Sequence, residues 1–480
     1  MRGTPSGCRS GSATCIGEEA RIKERKGIPA EPSSSLAQAA WTIHEWACQP
    51  YYSLIVVFLF GPYFVSHVVA DPVRGQALWS YTHSIAGFAL VMLGPLLGAI
   101  ADAGGRRKPW ILGCTITAGC GCMALWWAEL GITPLVILTA VIVATVSIEL
   151  LFVFANAMLP SIASERRIGV LSGFGIALGQ LAGMLSLVLI WFAIERAIAL
   201  DVTGGGTIER IVGPVAGLWL VVFMLPLLLL VPDRAPRELR WSRAIGEGIR
   251  RVRTTLIEMR RLGDVSTFLA ARLVFHSGVN IVYLFGGIVA ATTFGWGTRE
   301  LVLYGLWATP FIVLGGAVGG LIDRRYGARS TLMAALLVGA LTFLVMLACE
   351  RDRVLLFVTV PRPKDAQVFG TAAEWVYLAA VAGFAGAAGA IMASSRTLFA
   401  RIAPPERLTE LFGVYTLASQ VAGFVGPVIV GALTAVSAHQ KMGLLVAVPL
   451  MLFGTFLVRR VREPAIMGSI RSPWRAENTA

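Results

Sequence analysis

Glu149, Arg272, His276 and Asn280 stand inside long apolar runs, where a charge or an amide is expensive. An ionisable side chain at the centre of a membrane costs about 2.5–3.5 kcal/mol or more when it faces lipid unpaired, so such residues face a protein interior or a watery cavity. Arg272, His276 and Asn280 recur at steps of four, with Ser277 beside them, which is one helix face. Glu149 and Asn156 are seven residues apart and share a face in the same way. Two further polar groups flank apolar runs: His44 with Glu45 near the start of the first, and Ser394, Ser395 and Arg396 near the end of a later one. Together they permit reversible binding of a hydrogen-bonding or charged solute, with Glu149 or His276 as the group that titrates.

Structural roles compete with each assignment. Glu45 can lie at the membrane interface, and Arg272 and Arg396 are close enough to span ends to snorkel. Glu149 can pair with an arginine, and His276 can bond a backbone carbonyl. Gln180 and Gln420 read as helix–helix hydrogen-bonding residues.

The elements that must position these residues follow from composition. The 480 residues are 56% hydrophobic and 14% charged, far below the roughly 25% charged residues of a soluble domain. Apolar runs of about 20 residues recur along the chain, long enough to cross a bilayer as helices and unlike the short alternating strands of a barrel. Twelve spans are expected near 44–69, 79–101, 110–130, 134–158, 168–194, 212–231, 265–290, 300–322, 330–349, 374–397, 408–436 and 441–459. The net charge of +13 does not gather in a soluble domain, so nucleic acid is not an expected partner. No HExxH, GxSxG, Walker loop or Asp-rich site is present, and no cysteine pair has metal or redox spacing. The expectation is therefore a protein that is not an enzyme, with no cofactor and no metal.

Basic residues alternate between the gaps. Arg106-Arg107-Lys108, Arg166-Arg167, Arg324-Arg325 with Arg329, Arg401 with Arg407, and Arg459-Arg460 fall in one set, together with an Arg-rich central stretch and the N-terminal tail. The positive-inside rule places that set, and both termini, on the cytoplasmic side of the membrane. The domain reading is a disordered tail over 1–40, a six-helix half over 41–231, a basic amphipathic linker over 232–262 lying on the inner leaflet, a second half over 263–460 and a tail over 461–480.

The two halves repeat one another. "NAMLPSIASERRIGVLSGFGIALGQLAG", from Asn156, matches "RTLFARIAPPERLTELFGVYTLASQVAG", from Arg396, at an offset of 240: Ile162 falls on Ile402, Arg167 on Arg407, Gly173 on Gly413, Gln180 on Gln420 and Gly183 on Gly423. "GAIADAGGRRKPW" has its own partner in "GGLIDRRYGARST". Two similar six-span halves joined by a linker imply alternating access around a central site.

In the first of these loop sequences Gly98, Asp102, Gly105, Arg106 and Arg107 fit G-x-x-x-D-x-x-G-R-[RK]. Gly319, Asp323, Gly327 and Arg329 form a degraded second copy with one extra residue. The chain thus resembles the major facilitator superfamily, which implies an all-α fold of twelve transmembrane helices in two pseudo-symmetric halves. It also implies that spans one, four, seven and ten line the cavity, and that the two loops form a gate latching the cytoplasmic ends in the outward-open state. A narrower resemblance rests on "WTIHEWACQPYYSLIVVFLFGPYF", "ARLVFHSGVNIVYLFGGI" and "SSRTLFARIAPPERLTELFGVYTLASQ". These look like the bacterial branch related to fungal autophagy-related vacuolar amino-acid effluxers. That branch usually has W-x-x-Y-D-W-A-N-S at span one, where this chain has Glu45 for the acid and Cys48 for the Asn. Its span-seven Y-N-D-G-x-N here becomes Phe275-His276-Ser277-Gly278-Val279-Asn280, without the aspartate. The resemblance implies a secondary transporter of a small polar solute, amino acids favoured, in a bacterial inner membrane. The coupling role of the lost aspartate does not carry over, and proton coupling is expected instead from Glu149 or His276. A monomer is expected. Drugs, sugars or peptidoglycan fragments on the same fold, and a lipid flippase, are the alternatives.

Overall fold

A computed structural model describes residues 34–69, 71–129, 133–163, 165–199, 207–233, 246, 263–360, 369–404 and 408–463. The N-terminal tail up to residue 33, nearly all of the 232–262 linker and the tail beyond 463 lie outside the described residues, as does the side chain of Asp102.

Among the described residues, twelve helices are long and apolar enough to cross a membrane. They are α1 (Ser35–Val68), α2 (Pro72–Gly104), α3 (Lys108–Trp127), α4 (Pro134–Ile162), α5 (Glu165–Ala199), α6 (Thr207–Leu230), α7 (Gly263–Phe294), α8 (Thr298–Tyr326), α9 (Ala328–Ala348), α10 (Ala372–Ile402), α11 (Leu408–Ser437) and α12 (Gln440–Arg459). This is an integral membrane protein. The first helix begins nine residues before the apolar run read from sequence, because Ser34 caps it by accepting from the Ala37 amide. The six residues from Ser35 to Ala40 are therefore helical, and His44 and Glu45 sit inside α1 rather than at its start.

Packing repeats between the halves. In the first, α1 packs on α5 and α6, α3 on α4 and α6, and α2 on α4; in the second, α7 packs on α11 and α12, α9 on α10 and α12, and α8 on α10. The halves meet through α2 against α11 and α5 against α8. The most enclosed spans are α1, α7 and α10.

The loops between α2 and α3 and between α8 and α9 are built alike. Gly105 and Gly327 end the preceding helices at φ 79° and 87°, a left-handed region that glycine enters without a Cβ clash. Each following helix has its N-terminus capped by a carboxylate from just beyond the sixth span of its own half. Asp233 accepts from the amides of Arg107 at 3.0 Å and Lys108 at 3.1 Å. Glu463 accepts from Ala328 at 3.1 Å and Arg329 at 2.9 Å. A carboxylate there satisfies orphan N–H groups and complements the helix dipole.

Candidate functional site

Between the halves lies a cavity of about 460 Å³, lined by α1, α2, α4, α5, α7, α8, α10 and α11. The two walls carry opposite charge. Glu149 of α4 lies on the first-half wall, and Arg272 of α7 and Arg396 of α10 lie on the other. His276 and Asn280 continue the Arg272 face into the cavity, as their four-residue steps require.

Glu149 is held from both sides. The Tyr52 hydroxyl donates to Oε1 at 2.7 Å, and the Gln420 amide donates to Oε2 at 3.1 Å. Tyr52 arrives there on a π-helical stretch of α1, Tyr51–Phe58, where the Leu59 amide bonds back to Leu54. Pro62 supplies no amide to the turn above, and such widened turns concentrate at functional sites. The stretch turns Tyr52, Ser53, Val56, Val57 and Phe58 toward the cavity.

Arg272 is 7% exposed. Its Nε and one terminal nitrogen donate to Ser419 at 3.2 and 2.7 Å, and the other terminal nitrogen donates to Ser395 at 2.7 Å. The guanidinium stacks over the Tyr415 ring, 3.6 Å from its centroid. No carboxylate pairs with it among the described residues. Three of its five N–H donors are satisfied by neutral hydroxyls, which leaves two donors and a full charge on the cavity wall.

Other predicted residues fall elsewhere. Asn156 is exposed and off the cavity: seven residues keep the same face as Glu149 but move it about 10 Å along the helix axis. Ser277 donates to the carbonyls of Leu273 and Ala422, so it joins α7 to α11 instead of facing the cavity. One residue past His276 is a rotation of about 100°. Glu45 is also outside the cavity lining. It packs on Gly175 and Gly179 of α5, the positions that map at the 240 offset onto Tyr415 and Ser419, which hold Arg272. Glu45 and Arg272 thus occupy equivalent places in the two halves with opposite charge.

Of the residues expected to form the gate, Asp323 is 2% exposed and accepts from Ser394 of α10, in its own half, at 2.8 Å. Arg107 donates to the Ala157 carbonyl, Arg106 is exposed, and Arg329 donates to the Arg459 carbonyl at 2.6 Å. Gly319 lies against Ala390 of α10, and Gly98 has open space beside it. Sequence reasoning missed Tyr52, His83, Tyr415 and Ser419, all on the lining. His83 was visible as an ionisable residue in a span. It went unread because only spans one, four, seven and ten were expected to contribute.

The halves touch at the end away from the termini. Gln76 of α2 donates to Thr434 at 2.9 Å and to the Gln440 carbonyl at 3.1 Å. Arg299 of α8 pairs with Glu195 of α5 at 3.0 Å, and Thr298 bonds Glu209. At the opposite end Gly94, Gly98 and Gly413 have nothing within 4 Å of a Cβ, and Arg396 is exposed.

Solved transporters share this architecture. A D-xylose–proton symporter superposes with a TM-score of 0.66 at 13% identity, covering 90% of this chain and 99% of that one. The xylose transporter XylE from E. coli, in its inward open conformation, superposes with a TM-score of 0.62 at 12% identity, covering 90% and 97%. In sequence, an uncharacterized MFS-type transporter, YxiO, of Bacillus subtilis (strain 168) is 23% identical over 440 residues, 88% of this chain and 94% of that protein. Autophagy-related protein 22 of Coccidioides immitis (strain RS) is 26% identical over 295 residues, 57% of this chain and 45% of that one. The family model described as "Vacuole effluxer Atg22 like" matches residues 64–464. With twelve spans, a major facilitator fold and that match over most of its length, the chain is a transporter and belongs to the Atg22-like vacuole effluxer family.

Proposed function

We propose that the protein moves a zwitterionic solute, an amino acid, across the membrane by alternating access, with proton movement through Glu149. The observation that carries this reading is the buried Arg272 guanidinium. It has no acidic partner among the described residues and shares one cavity with the Glu149 carboxylate on the opposite wall. A lone buried cation is costly, and a substrate carboxylate in bidentate contact offsets that cost. A substrate ammonium group meets Glu149. The resemblance to amino-acid effluxers supports the same solute class, and about 460 Å³ is the scale of a small-ligand site. The charge pattern supports cytoplasmic termini, so contact at the far end and open space near Gly98 and Gly413 correspond to an inward-facing state.

The test is ligand-induced stabilisation of the purified protein with free amino acids, their methyl esters and their N-acetyl derivatives. Sugars, peptidoglycan fragments and lipids serve as comparators. A ligand at about ten times its Kd adds roughly 1.4 kcal/mol to stability. Stabilisation by free amino acids, lost for both blocked forms, supports the reading. Stabilisation by sugars or lipids alone overturns it.

A further inference from the structure

Between α9 and α10 the chain forms a small antiparallel hairpin, β1 (Arg353–Val354) paired with β2 (Val358–Thr359). Its tip is unusual for a water-facing turn. Leu355 and Leu356 both adopt positive φ, 52° and 69°, a region leucine rarely enters. Glycine, asparagine or aspartate fill such positions in turns exposed to water. Here four consecutive apolar side chains, Leu355 to Val358, are exposed, with Phe357 at 80%.

The tip is also held at a definite level. The Leu356 amide donates to the carbonyl of Ala348, the last residue of α9, at 3.0 Å. With 21 residues, α9 is about 31 Å long, close to the roughly 30 Å hydrocarbon thickness, so its end marks the edge of the hydrocarbon. Leu337, Leu341 and Leu344 form an exposed apolar stripe on α9 below that end. Exposed Trp375, in the first turn of α10, is of the residue type that collects at headgroup level. The hairpin's other side is fixed to the protein: Val354 is buried and Val360 packs on the core. Exposed Arg351 and Arg353 flank the tip, with Asp352 between them.

We propose that the Leu355–Val358 turn is a bilayer anchor, seated in the boundary between headgroups and acyl chains at the end opposite the termini. The lipid surface is continuous with the α9 stripe. The arginines lie where lipid phosphates would meet them, and the apolar tip leaves water without a protein partner among the described residues. The backbone conformation that exposes three large side chains together is retained because those side chains are buried in lipid.

The experiment uses the full chain in phosphatidylcholine–phosphatidylglycerol nanodiscs, with Phe357→trifluoromethylphenylalanine as a single fluorine probe. At 80% exposure this replacement has ample room. Relaxation of the fluorine signal is measured with a nitroxide at carbon 5 of the lipid chain and, separately, with a water-soluble gadolinium chelate. The expected result is at least threefold greater broadening by the lipid nitroxide than by the chelate. Greater broadening by the chelate places the tip in water and overturns the proposal. Protection from both agents means that protein covers the tip, which also overturns it.

Discussion

Gln420 of α11 donates its amide to Glu149 of α4 across the cavity at 3.1 Å, joining a carboxylate of one half to an amide of the other. The second oxygen of Glu149 is held by Tyr52 on the π-helical stretch of α1. Protonating Glu149 adds an O–H donor to a carboxyl group that accepts one bond from each half. Glu149→Gln is expected to abolish the response of flux to an imposed pH gradient in proteoliposomes while solute exchange without a gradient continues. An unchanged gradient response would count against proton movement through this residue.

Arg272 is expected to tolerate no conservative exchange. Its fork donates to hydroxyls on two different helices while stacking on Tyr415. Lysine, a single point donor, cannot reproduce that arrangement. Both Arg272→Gln and Arg272→Lys should weaken binding of a free amino acid about 10- to 100-fold, the worth of roughly 1.5–3 kcal/mol for a charged hydrogen bond. Isothermal titration reads this directly. Asn156→Ala and Ser277→Ala should stay within about threefold, since neither residue lines the cavity.

The caps from Asp233 and Glu463 contribute to folding rather than to binding. Asp233→Ala and Glu463→Ala each leave two amides at a helix start without their acceptor. Each is expected to cost about 1 kcal/mol of stability, and Asp233→Asn should recover part of it. Thermal unfolding in detergent checks the loss. Solute affinity of the folded fraction should not change.

The far-end contact should be reversible. A Cβ built on Gly431 of α11 lies 3.1 Å from the Ser80 Cβ of α2, close to the roughly 3.5–4.5 Å of a disulfide. Ser80→Cys combined with Gly431→Cys should form a bond under oxidation, stop flux, and recover it with dithiothreitol. Flux that continues with the bond formed would show that the two helices need not part at this point.

Much of the site was legible because period and cost are local properties. The four-residue steps of Arg272, His276 and Asn280 put all three on one face, and that face does line the cavity. Asn156 shared a face with Glu149 but not its depth. Ser277, one position from His276, turned to the carbonyl of Ala422 on the neighbouring helix. Tyr52 was missed because its direction depends on a π-helical stretch, whereas helical reasoning assumes a uniform 3.6-residue turn.

By itself the sequence determined that this chain spans a membrane twelve times, repeats in two halves and carries a gate-loop pattern in each. Transfer of apolar segments into lipid and the placement of basic loops act segment by segment, so each span could be read without its neighbours. Only the tertiary structure decided which polar groups meet. That Gln420 reaches Glu149, that Arg272 rests on two serines without an acid among the described residues, and that Glu45 turns to the α5 glycines all depend on how helices distant in sequence pack and rotate against one another. Rotation about a helix axis changes every partner while leaving hydropathy and periodicity untouched.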